Sequence, residues 1–378
     1  TNQNIIRMFL THLKLTSFRN YEDQQFEFHP DVNAFVGMNG MGKTNVLEAI
    51  YYLCFGKSYF ASGDRYVINH NNDFFRIAGR ISEDFDKEVV VRFKTGNKKD
   101  IEVLGKKIER ISDHIGQILC VMIAPDDIHQ LLESSEDRRN FINNTIVQSD
   151  KLYLEHLLQY THLLKQRNAL LKTFIENKTF DKHLLEAVTR GMFRPAKYIF
   201  EKRREQISSI IPLFNDFYKG ICAGREICSI DYESKLEFQN MEDLLQEHIQ
   251  KDRILGRTSQ GIHKDDLTFL INGEPLKNFA SQGQLKSFVL ALKLAQYKIV
   301  EQSTGKKPMI LLDDIFDKLD AFRVSQLMNV LKENNFGQIF ITDTQEARIN
   351  KALKENNYNF KMFYINQGIV VNQAELTK

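Results

Sequence analysis

Residues 37 to 44 combine glycines, a lysine and a threonine at the spacing G-x-x-x-x-G-K-S/T; they are Gly37, Met38, Asn39, Gly40, Met41, Gly42, Lys43 and Thr44. Glycines at these positions let the backbone curl so that successive N–H groups point inward around a phosphate. Lys43 supplies a cation for the β and γ phosphates, and the Thr44 hydroxyl can ligate Mg²⁺. The spacing therefore predicts a site for ATP and Mg²⁺, and the alternative is a glycine-rich turn with an exposed lysine.

The elements on either side of this loop must hold it in place. The continuous apolar run Val32–Val36 predicts a strand that is buried on both faces. From about Thr44, apolar residues recur at helical spacing as far as Cys54, which predicts a helix. The positive end of that helix would face the phosphate. This strand–loop–helix order favours the phosphate site over the simple turn.

A second candidate element is the apolar run Met309–Leu312, which is followed directly by Asp313 and Asp314. Such a run predicts a central strand whose acids lie at its carboxyl end, the edge where open α/β sheets bind ligands. We expect Asp313 to be the carboxylate on the Mg²⁺ side and Asp314 to polarise an attacking water. Lys43, Asp313 and Asp314 are therefore the candidate catalytic residues, with Thr44 and Asp313 as candidate metal ligands. The alternative is a pair of helix-capping or turn acids.

Hydrophobic patterning divides the chain into three segments. Residues 1–128 contain short strand-like runs with an antiparallel component, whereas leucines spaced by three or four residues dominate residues 129–262. Strands and helices alternate again over residues 263–378, which is typical of a largely parallel sheet. We therefore predict one α/β domain, split in sequence by an inserted helical arm. Pro195 and Pro212 are expected to mark breaks or first turns of helices in that arm.

Composition limits the class of protein. The formal net charge is only +2, so a nucleic-acid surface would have to be a local patch. No apolar run approaches the roughly 18 residues of a membrane span. The first residues lack a secretory signal, and the four cysteines form no C-x-x-C pair, which excludes a disulfide framework and a zinc site of that type. We expect a cytoplasmic protein with no membrane association.

The predicted arm carries a local basic stretch. Lys165–Arg204 contains eleven Lys or Arg against four Asp or Glu, a net charge of +7. A charge run of this kind is usually a solvated helix face. It could also contact the phosphates of DNA, which gives affinity without reading sequence. The candidate DNA-binding residues are Lys197, Lys202, Arg203 and Arg204.

Several further segments resemble the ABC-type ATPase heads of the SMC-like proteins, and most closely the RecF family. They are Phe18-Arg19-Asn20-Tyr21 ahead of the phosphate loop, Ala124–Ile128, Arg138–Phe141, Gly261–Leu267, the signature-like Ser281-Gln282-Gly283-Gln284-Leu285, and the D-loop-like Leu319-Asp320. Ile262 and Lys264 depart from the family pattern. The matches follow the family order from about residue 9 to about residue 345. The resemblance implies an ABC-ATPase-type P-loop head, with a mixed sheet lobe and a largely parallel sheet, interrupted by a helical arm.

The resemblance also adds candidate cofactor-binding residues: Arg19, Asn20, Ser281, Gly283, Gln284 and Asp320. The helix that begins at Ser281 would offer a hydroxyl, free N–H groups and a positive dipole end to a γ-phosphate. In ABC-type ATPases that phosphate belongs to the nucleotide on the other subunit. The resemblance therefore implies a homodimer that ATP holds together.

Three departures from the ABC pattern concern hydrolysis. Asp314 stands where ABC heads usually have Glu, and no glutamine occupies the lid-loop site near Ala124–Asp126. The usual switch histidine is absent from Ile341–Thr344, where Thr342 or Asp343 is the candidate replacement. We therefore expect slow ATP hydrolysis and a long-lived ATP-bound dimer.

The family resemblance implies DNA binding at gaps and junctions in recombinational repair and replication restart, where RecF-like proteins help RecO and RecR load the recombinase. Two other classes of function remain. One is a transporter-type ABC ATPase subunit, which the long basic arm disfavours. The other is a P-loop phosphotransferase with a small acceptor, which leaves the Ser281 segment without a purpose.

Overall fold

The computed structural model describes residues 5–222, 226–316, 319 and 321–376. The strands in chain order are β1 (Ile6–Arg7), β2 (Phe9–Phe18), β3 (Tyr21–Glu27), β4 (Val32–Val36), β5 (Phe74–Ser82), β6 (Lys87–Lys94), β7 (Asp100–Val103), β8 (Lys106–Lys107), β9 (Cys120–Ile123), β10 (Cys228–Glu233), β11 (Asp266–Ile271), β12 (Glu274–Pro275), β13 (Lys306–Lys307), β14 (Met309–Leu312), β15 (Ile339–Asp343), β16 (Phe360–Asn366) and β17 (Ile369–Leu376). The helices are α1 (Lys43–Phe55), α2 (Asp127–Glu133), α3 (Ser135–Ile146), α4 (Lys151–Glu176), α5 (Lys182–Cys222), α6 (Met241–Glu247), α7 (Ile249–Leu255), α8 (Leu276–Phe279), α9 (Gln282–Thr304), α10 (Ala321–Glu333) and α11 (Glu346–Glu355).

The chain forms two compact units. Within the described residues, the first unit takes its chain from 1–128, 213–225 and 281–378, and the second from 129–212 and 226–280. The second unit begins at residue 129, like the predicted arm, but it extends to Ala280, and residues 213–225 of the predicted arm fall in the first unit. Strand β11 pairs antiparallel with β10 and with β12, which joins residues 266–275 to the second unit.

One sheet of the first unit has the strand order β17-β16-β4-β15-β14-β9. Its strands run parallel except for β17, which pairs antiparallel with β16. Leu312 lies beside Ile341 on one neighbouring strand and Ile123 on the other, and Val36 lies beside Asp343. Because parallel strands end at the same edge, the segments that follow β4, β14 and β15 meet there. The predicted, largely parallel sheet is confirmed.

The other sheet of the first unit is antiparallel, with the order β3-β2-β5-β6-β7-β8, as the mixed-lobe prediction requires. Helix α1 contacts strands of both sheets, and every residue from Val46 to Phe55 is buried. Phenylalanines fill the space beside β4: the ring centroids of Phe35 and Phe363 are 5.3 Å apart and those of Phe28 and Phe340 are 5.0 Å apart. Burial of these rings stabilises β4, the strand that leads into residues 37 to 42.

The second unit is mostly helical but also contains the small sheet β10-β11-β12. Strand β10 lies within the segment that the sequence predicts to be a helical arm. Asn272 and Gly273 turn the chain between β11 and β12 with positive φ angles of 51° and 85°, a conformation that an Asn-Gly pair favours. Among the helices of the described residues, none is long and apolar enough to cross a membrane.

Pro195 and Pro212 do not break helices, contrary to prediction, because both lie inside the continuous helix α5. A proline inside a helix removes one backbone hydrogen bond, so other contacts must compensate. Buried apolar residues recur at intervals of four and three residues around each proline: Met192, Ala196 and Ile199, then Ile210, Phe214 and Phe217. Packing along these faces keeps the helix continuous.

Candidate nucleotide-binding site

The phosphate loop joins the carboxyl end of β4 to the first turn of α1. A Cβ atom on Gly37 would lie 2.4 Å from the backbone oxygen of Ile365, so the neighbouring strand leaves no room for a side chain. Gly42 precedes the helix with a φ of 112°, a left-handed conformation that favours glycine. These two glycines therefore permit the loop to lie at the edge of the sheet.

Lys43 directs its side chain back into this loop. Its Nζ donates to the carbonyl oxygens of Gly37 at 2.7 Å and Met38 at 2.8 Å. Partial burial lowers the pKa of the Lys43 ammonium, while the carboxylates of Asp314 and Asp313 act in the opposite direction. A cation held inside a curled glycine-rich backbone is suited to binding phosphate oxygens.

Thr44 and Asp313 are in direct contact although they are far apart in sequence. The Thr44 hydroxyl donates to Asp313 Oδ1 at 2.7 Å, and the Thr342 hydroxyl donates to the same oxygen at 2.7 Å. Burial raises the pKa of Asp313, and the hydrogen bonds from Thr342 and Thr44 oppose that rise. A buried carboxylate beside a hydroxyl matches the oxygen ligands that Mg²⁺ prefers, so these residues fit the predicted metal.

Asp314 follows in an unusual backbone conformation. Its φ is 46°, and its N–H donates to the Thr342 hydroxyl at 2.8 Å. Aspartate tolerates this left-handed region better than most residues. Its carboxylate also contributes to the electrostatic environment of Lys43. The structure therefore places both predicted acids beside the phosphate loop.

Arg19 and Asn20 lie behind the loop. Arg19 forms a two-pronged ion pair with Glu48, at 2.8 Å for both Nε and Nη2, and its Nη1 donates to the Tyr66 carbonyl. The Asn20 amide donates to the Met41 carbonyl at 2.9 Å and accepts from Asn45 at 2.8 Å. Asn20 thus supports the loop and Arg19 supports α1, which are structural roles that spacing alone does not reveal.

Ser281 caps the amino end of α9. Its hydroxyl accepts from the Gln284 N–H at 3.3 Å, while its own N–H donates to Gln284 Oε1 at 2.7 Å. Ser281 is exposed, so this helix start faces solvent. A Cβ atom on Gly283 would lie 3.0 Å from Nη1 of Arg323, which adds a positive charge beside the first turn. The sequence analysis did not predict a role for Arg323, because it belongs to a different helix, α10. Asp320, the remaining candidate cofactor-binding residue, lies outside the described residues.

A buried ion pair stabilises the loop after β9. This loop is the lid-loop site at which ABC heads usually have a glutamine and this sequence has none. Lys293 of α9 donates to Asp127 Oδ1 at 3.1 Å and to the Tyr59 hydroxyl at 3.0 Å. Asp127 Oδ2 accepts from the Ala124 N–H at 2.8 Å. No sequence motif predicts this contact, because its partners are separated by more than 60 residues on either side.

Three of the four candidate DNA-binding residues are at the surface of α5, each beside an acid. The distances are 3.9 Å from Lys197 to Glu201, 2.8 Å from Lys202 to Glu205, and 3.6 Å from Arg204 to Glu237. Glu201 is already included in the net charge of +7, whereas Glu205 and Glu237 lie outside Lys165–Arg204 and lower the local basic charge further.

The fourth candidate DNA-binding residue, Arg203, is buried, so the prediction for it is wrong. Only 2% of it is exposed, and its guanidinium donates to Asp265, Tyr153 and the Ile262 carbonyl. A side chain committed to these buried partners cannot contact DNA. His263 also lies inside this unit, hydrogen-bonded to Tyr160 at 2.8 Å.

Comparison with known proteins agrees with this geometry. Residues 9–370 match the family model described as RecF/RecN/SMC N terminal domain. A DNA replication and repair protein RecF from Flavobacterium johnsoniae is 44% identical over 357 residues, which is 94% of this chain and 99% of the relative. The chain belongs to the RecF family. A RecF from Cytophaga hutchinsonii is 38% identical, over 96% of both chains.

Solved structures show the same fold. A structure of the recombination mediator protein RecF with ATP, in the RecFOR pathway, matches with a TM-score of 0.87 and 30% identity over 100% of both chains. An Smc head domain from Pyrococcus furiosus matches with a TM-score of 0.56 at 16% identity, which shows the fold alone. The fold is therefore that of an ABC-ATPase-type head of the RecF and SMC kind. The comparisons do not favour the transporter subunit or the small-acceptor phosphotransferase.

Proposed function

We propose that this RecF-family chain is an ATP-dependent DNA-binding clamp of cytoplasmic recombinational repair and replication restart. It binds single-stranded, gapped or junction DNA as an ATP-induced homodimer, hydrolyses ATP slowly, and assists recombinase loading with RecO and RecR. The observation that carries this proposal is a phosphate loop joined to Asp313 through Thr44, in the same unit as an exposed helix start capped by Ser281. These features are the two halves of a nucleotide site shared between subunits.

In the first half-site, the chain's own residues bind and orient the triphosphate. Lys43 exchanges its two carbonyl partners for phosphate oxygens, and the N–H groups at the start of α1 face the same anion. Thr44 and Asp313 would hold Mg²⁺, which neutralises charge on the β and γ phosphates when it is bound. Asp314 accepts a proton from the attacking water.

The second half-site is the amino end of α9. The N–H groups of its first turn and the helix dipole attract a phosphate, and the guanidinium of Arg323 beside Gly283 strengthens that field. Because the Ser281 hydroxyl accepts the capping bond from Gln284, its proton is directed away from the helix. That proton is the group we assign to the γ-phosphate bound by the partner subunit.

Substituting Ser281 with aspartate is expected to weaken the ATP-dependent dimer by at least about tenfold. Aspartate caps a helix as well as serine does, so α9 keeps its start, but the new charge repels a phosphate. ATP affinity of the monomer should stay unchanged. Sedimentation velocity with and without magnesium-ATP measures the dimer, and Ser281→Thr is the matched control that keeps the hydroxyl. Normal ATP-induced dimerisation of the aspartate variant would contradict the role of Ser281, and a wild-type chain that stays monomeric would overturn the clamp.

Reversing the charges of Lys197, Lys202 and Arg204 to glutamate is expected to weaken ATP-dependent DNA binding. Each lost phosphate contact should flatten the dependence of log K on log salt by about 0.9 for duplex DNA. Fluorescence anisotropy measures the DNA affinity and its dependence on salt. The measurement uses gapped, duplex and single-stranded DNA, with ATP, with ADP and without nucleotide.

Arg203 is left intact in this experiment, because removing one partner of a buried ion pair costs about 3–5 kcal/mol of stability. The matched control reverses three exposed lysines elsewhere: Lys251, Lys351 and Lys354. An unaltered salt slope in the test variant, or an equal loss in the control, would remove this patch from the proposed interface.

A further inference from the structure

Thr342 occupies the position where the sequence lacks a switch histidine. It lies near the carboxyl end of β15, next to β14, and its relative exposure is 0%. The sequence left Thr342 and Asp343 as equal candidates for that role. Their hydrogen bonds distinguish them.

Asp343, the last residue of β15, is hydrogen-bonded to residues at the start of α11. Its carboxylate accepts from Arg348 Nε at 2.8 Å and from the Gln345 N–H at 2.9 Å, and it is completely buried. A carboxylate also lacks a proton to donate to a phosphate oxygen at neutral pH. Asp343 therefore stabilises the start of α11.

Thr342 connects the two acids that follow β14. Its only hydroxyl proton goes to Asp313 Oδ1 at 2.7 Å, and its oxygen accepts from the Asp314 N–H at 2.8 Å. A phosphate oxygen can only accept hydrogen bonds, so Thr342 has no proton for it while the Asp313 bond is intact. The histidine function is thus not transferred to this hydroxyl.

The bond to Asp314 restrains a conformation that few residues adopt. With a φ of 46°, Asp314 lies in the left-handed region, which is unfavourable for a residue other than glycine unless its surroundings impose it. The direction of the Asp314 carboxylate depends on this backbone conformation. An error of about 1 Å in the position of a catalytic group can cost about 100-fold in rate.

We infer that Thr342 is a positioning residue: its hydroxyl fixes the Asp313 carboxylate and the left-handed Asp314 backbone, and so aims the Asp314 carboxylate without touching the nucleotide. This inference rests on the proposed function, in which Asp314 accepts the proton from water. In this inference, one buried hydroxyl holds both Asp313 and Asp314 in position.

The experiment compares Thr342→Val, which keeps the shape and removes the hydroxyl, with Thr342→Ser, which keeps the hydroxyl. Valine is expected to lower kcat for ATP hydrolysis by roughly 10- to 100-fold and to change KM by less than about threefold. Serine should retain kcat within about threefold. Thermal unfolding verifies that each variant is folded, and Thr342→Ala replaces the valine variant if the latter is not recovered.

A double-mutant cycle with Asp314→Asn separates the inference from the proposed function. If Thr342 aims the Asp314 carboxylate, the valine substitution lowers kcat much less in the Asp314→Asn background than in the wild type, and any loss that remains there comes through Asp313. Losses that add, or a valine variant with wild-type kcat, would overturn the positioning role. Wild-type hydrolysis by Asp314→Asn alone would instead show that the proposed proton acceptor is wrong.

Discussion

Replacing Lys43 with alanine is expected to weaken ATP binding by roughly 100-fold or more, because charged hydrogen bonds to a phosphate contribute about 1.5–3 kcal/mol each. The Lys43 ammonium lies inside the loop, where it donates to the carbonyls of Gly37 and Met38. No other cation in the described part of the chain is shown bound to this loop. Loss of Lys43 should therefore abolish nucleotide binding at working concentrations, and with it the dimer and ATP-stimulated DNA binding.

Isothermal titration with magnesium-ATP tests this prediction directly. Lys354→Ala, an exposed lysine near the end of α11, is the matched control and should bind ATP like the wild type. Thermal unfolding shows whether the alanine variant keeps its fold, since Lys43 also supports its own loop. Affinity within about threefold of wild type in a folded Lys43→Ala variant would mean that the phosphates lie elsewhere.

The elements that flank the site were predictable because their signals are local. Val32–Val36 is buried at every position, and β14 has the bounds Met309–Leu312 that its apolar run predicts. The helix expected from about Thr44 begins at Lys43. In each case a short stretch of sequence contains the periodicity, and the neighbouring glycines or acids mark its end.

The partners of the site residues could not be predicted in the same way. Thr44, Asp313 and Thr342 meet only because β14 lies next to β15 and β15 lies next to β4. Strand order in a parallel sheet depends on packing of the whole chain, so no local pattern encodes it. The role of Thr342 therefore follows from the sheet, not from the missing histidine.

Arg203 illustrates the limit of a charge count. It sits beside Lys202 and Arg204 in sequence, yet successive helix positions are rotated by about 100°, so neighbours face different directions. Asp265 and Tyr153 receive its guanidinium in the interior of the second unit. A basic run gives the number of charges in a segment but does not give the number at the surface.

Substituting Asp314 with asparagine is expected to lower kcat for ATP hydrolysis by about 10²–10⁴-fold, the usual contribution of a positioned general base. Asparagine tolerates a positive φ as well as aspartate does, so the backbone bond to Thr342 should survive. ATP binding should be retained, because Lys43, Thr44 and Asp313 are unchanged. The ATP-bound dimer should consequently persist far longer than that of the wild type.

Phosphate release under saturating magnesium-ATP measures the rate, and light scattering after dilution measures the lifetime of the dimer. Asp314→Glu is the informative control, because it restores a carboxylate of the kind that ABC heads usually carry, on a backbone conformation that glutamate tolerates less well. It should hydrolyse ATP faster than the asparagine variant. If the asparagine variant hydrolyses ATP slowly but its dimer is short-lived, dissociation of the dimer does not depend on hydrolysis. If hydrolysis is unchanged, Asp314 is not the general base, and its φ of 46° is only a structural feature of the segment that follows β14.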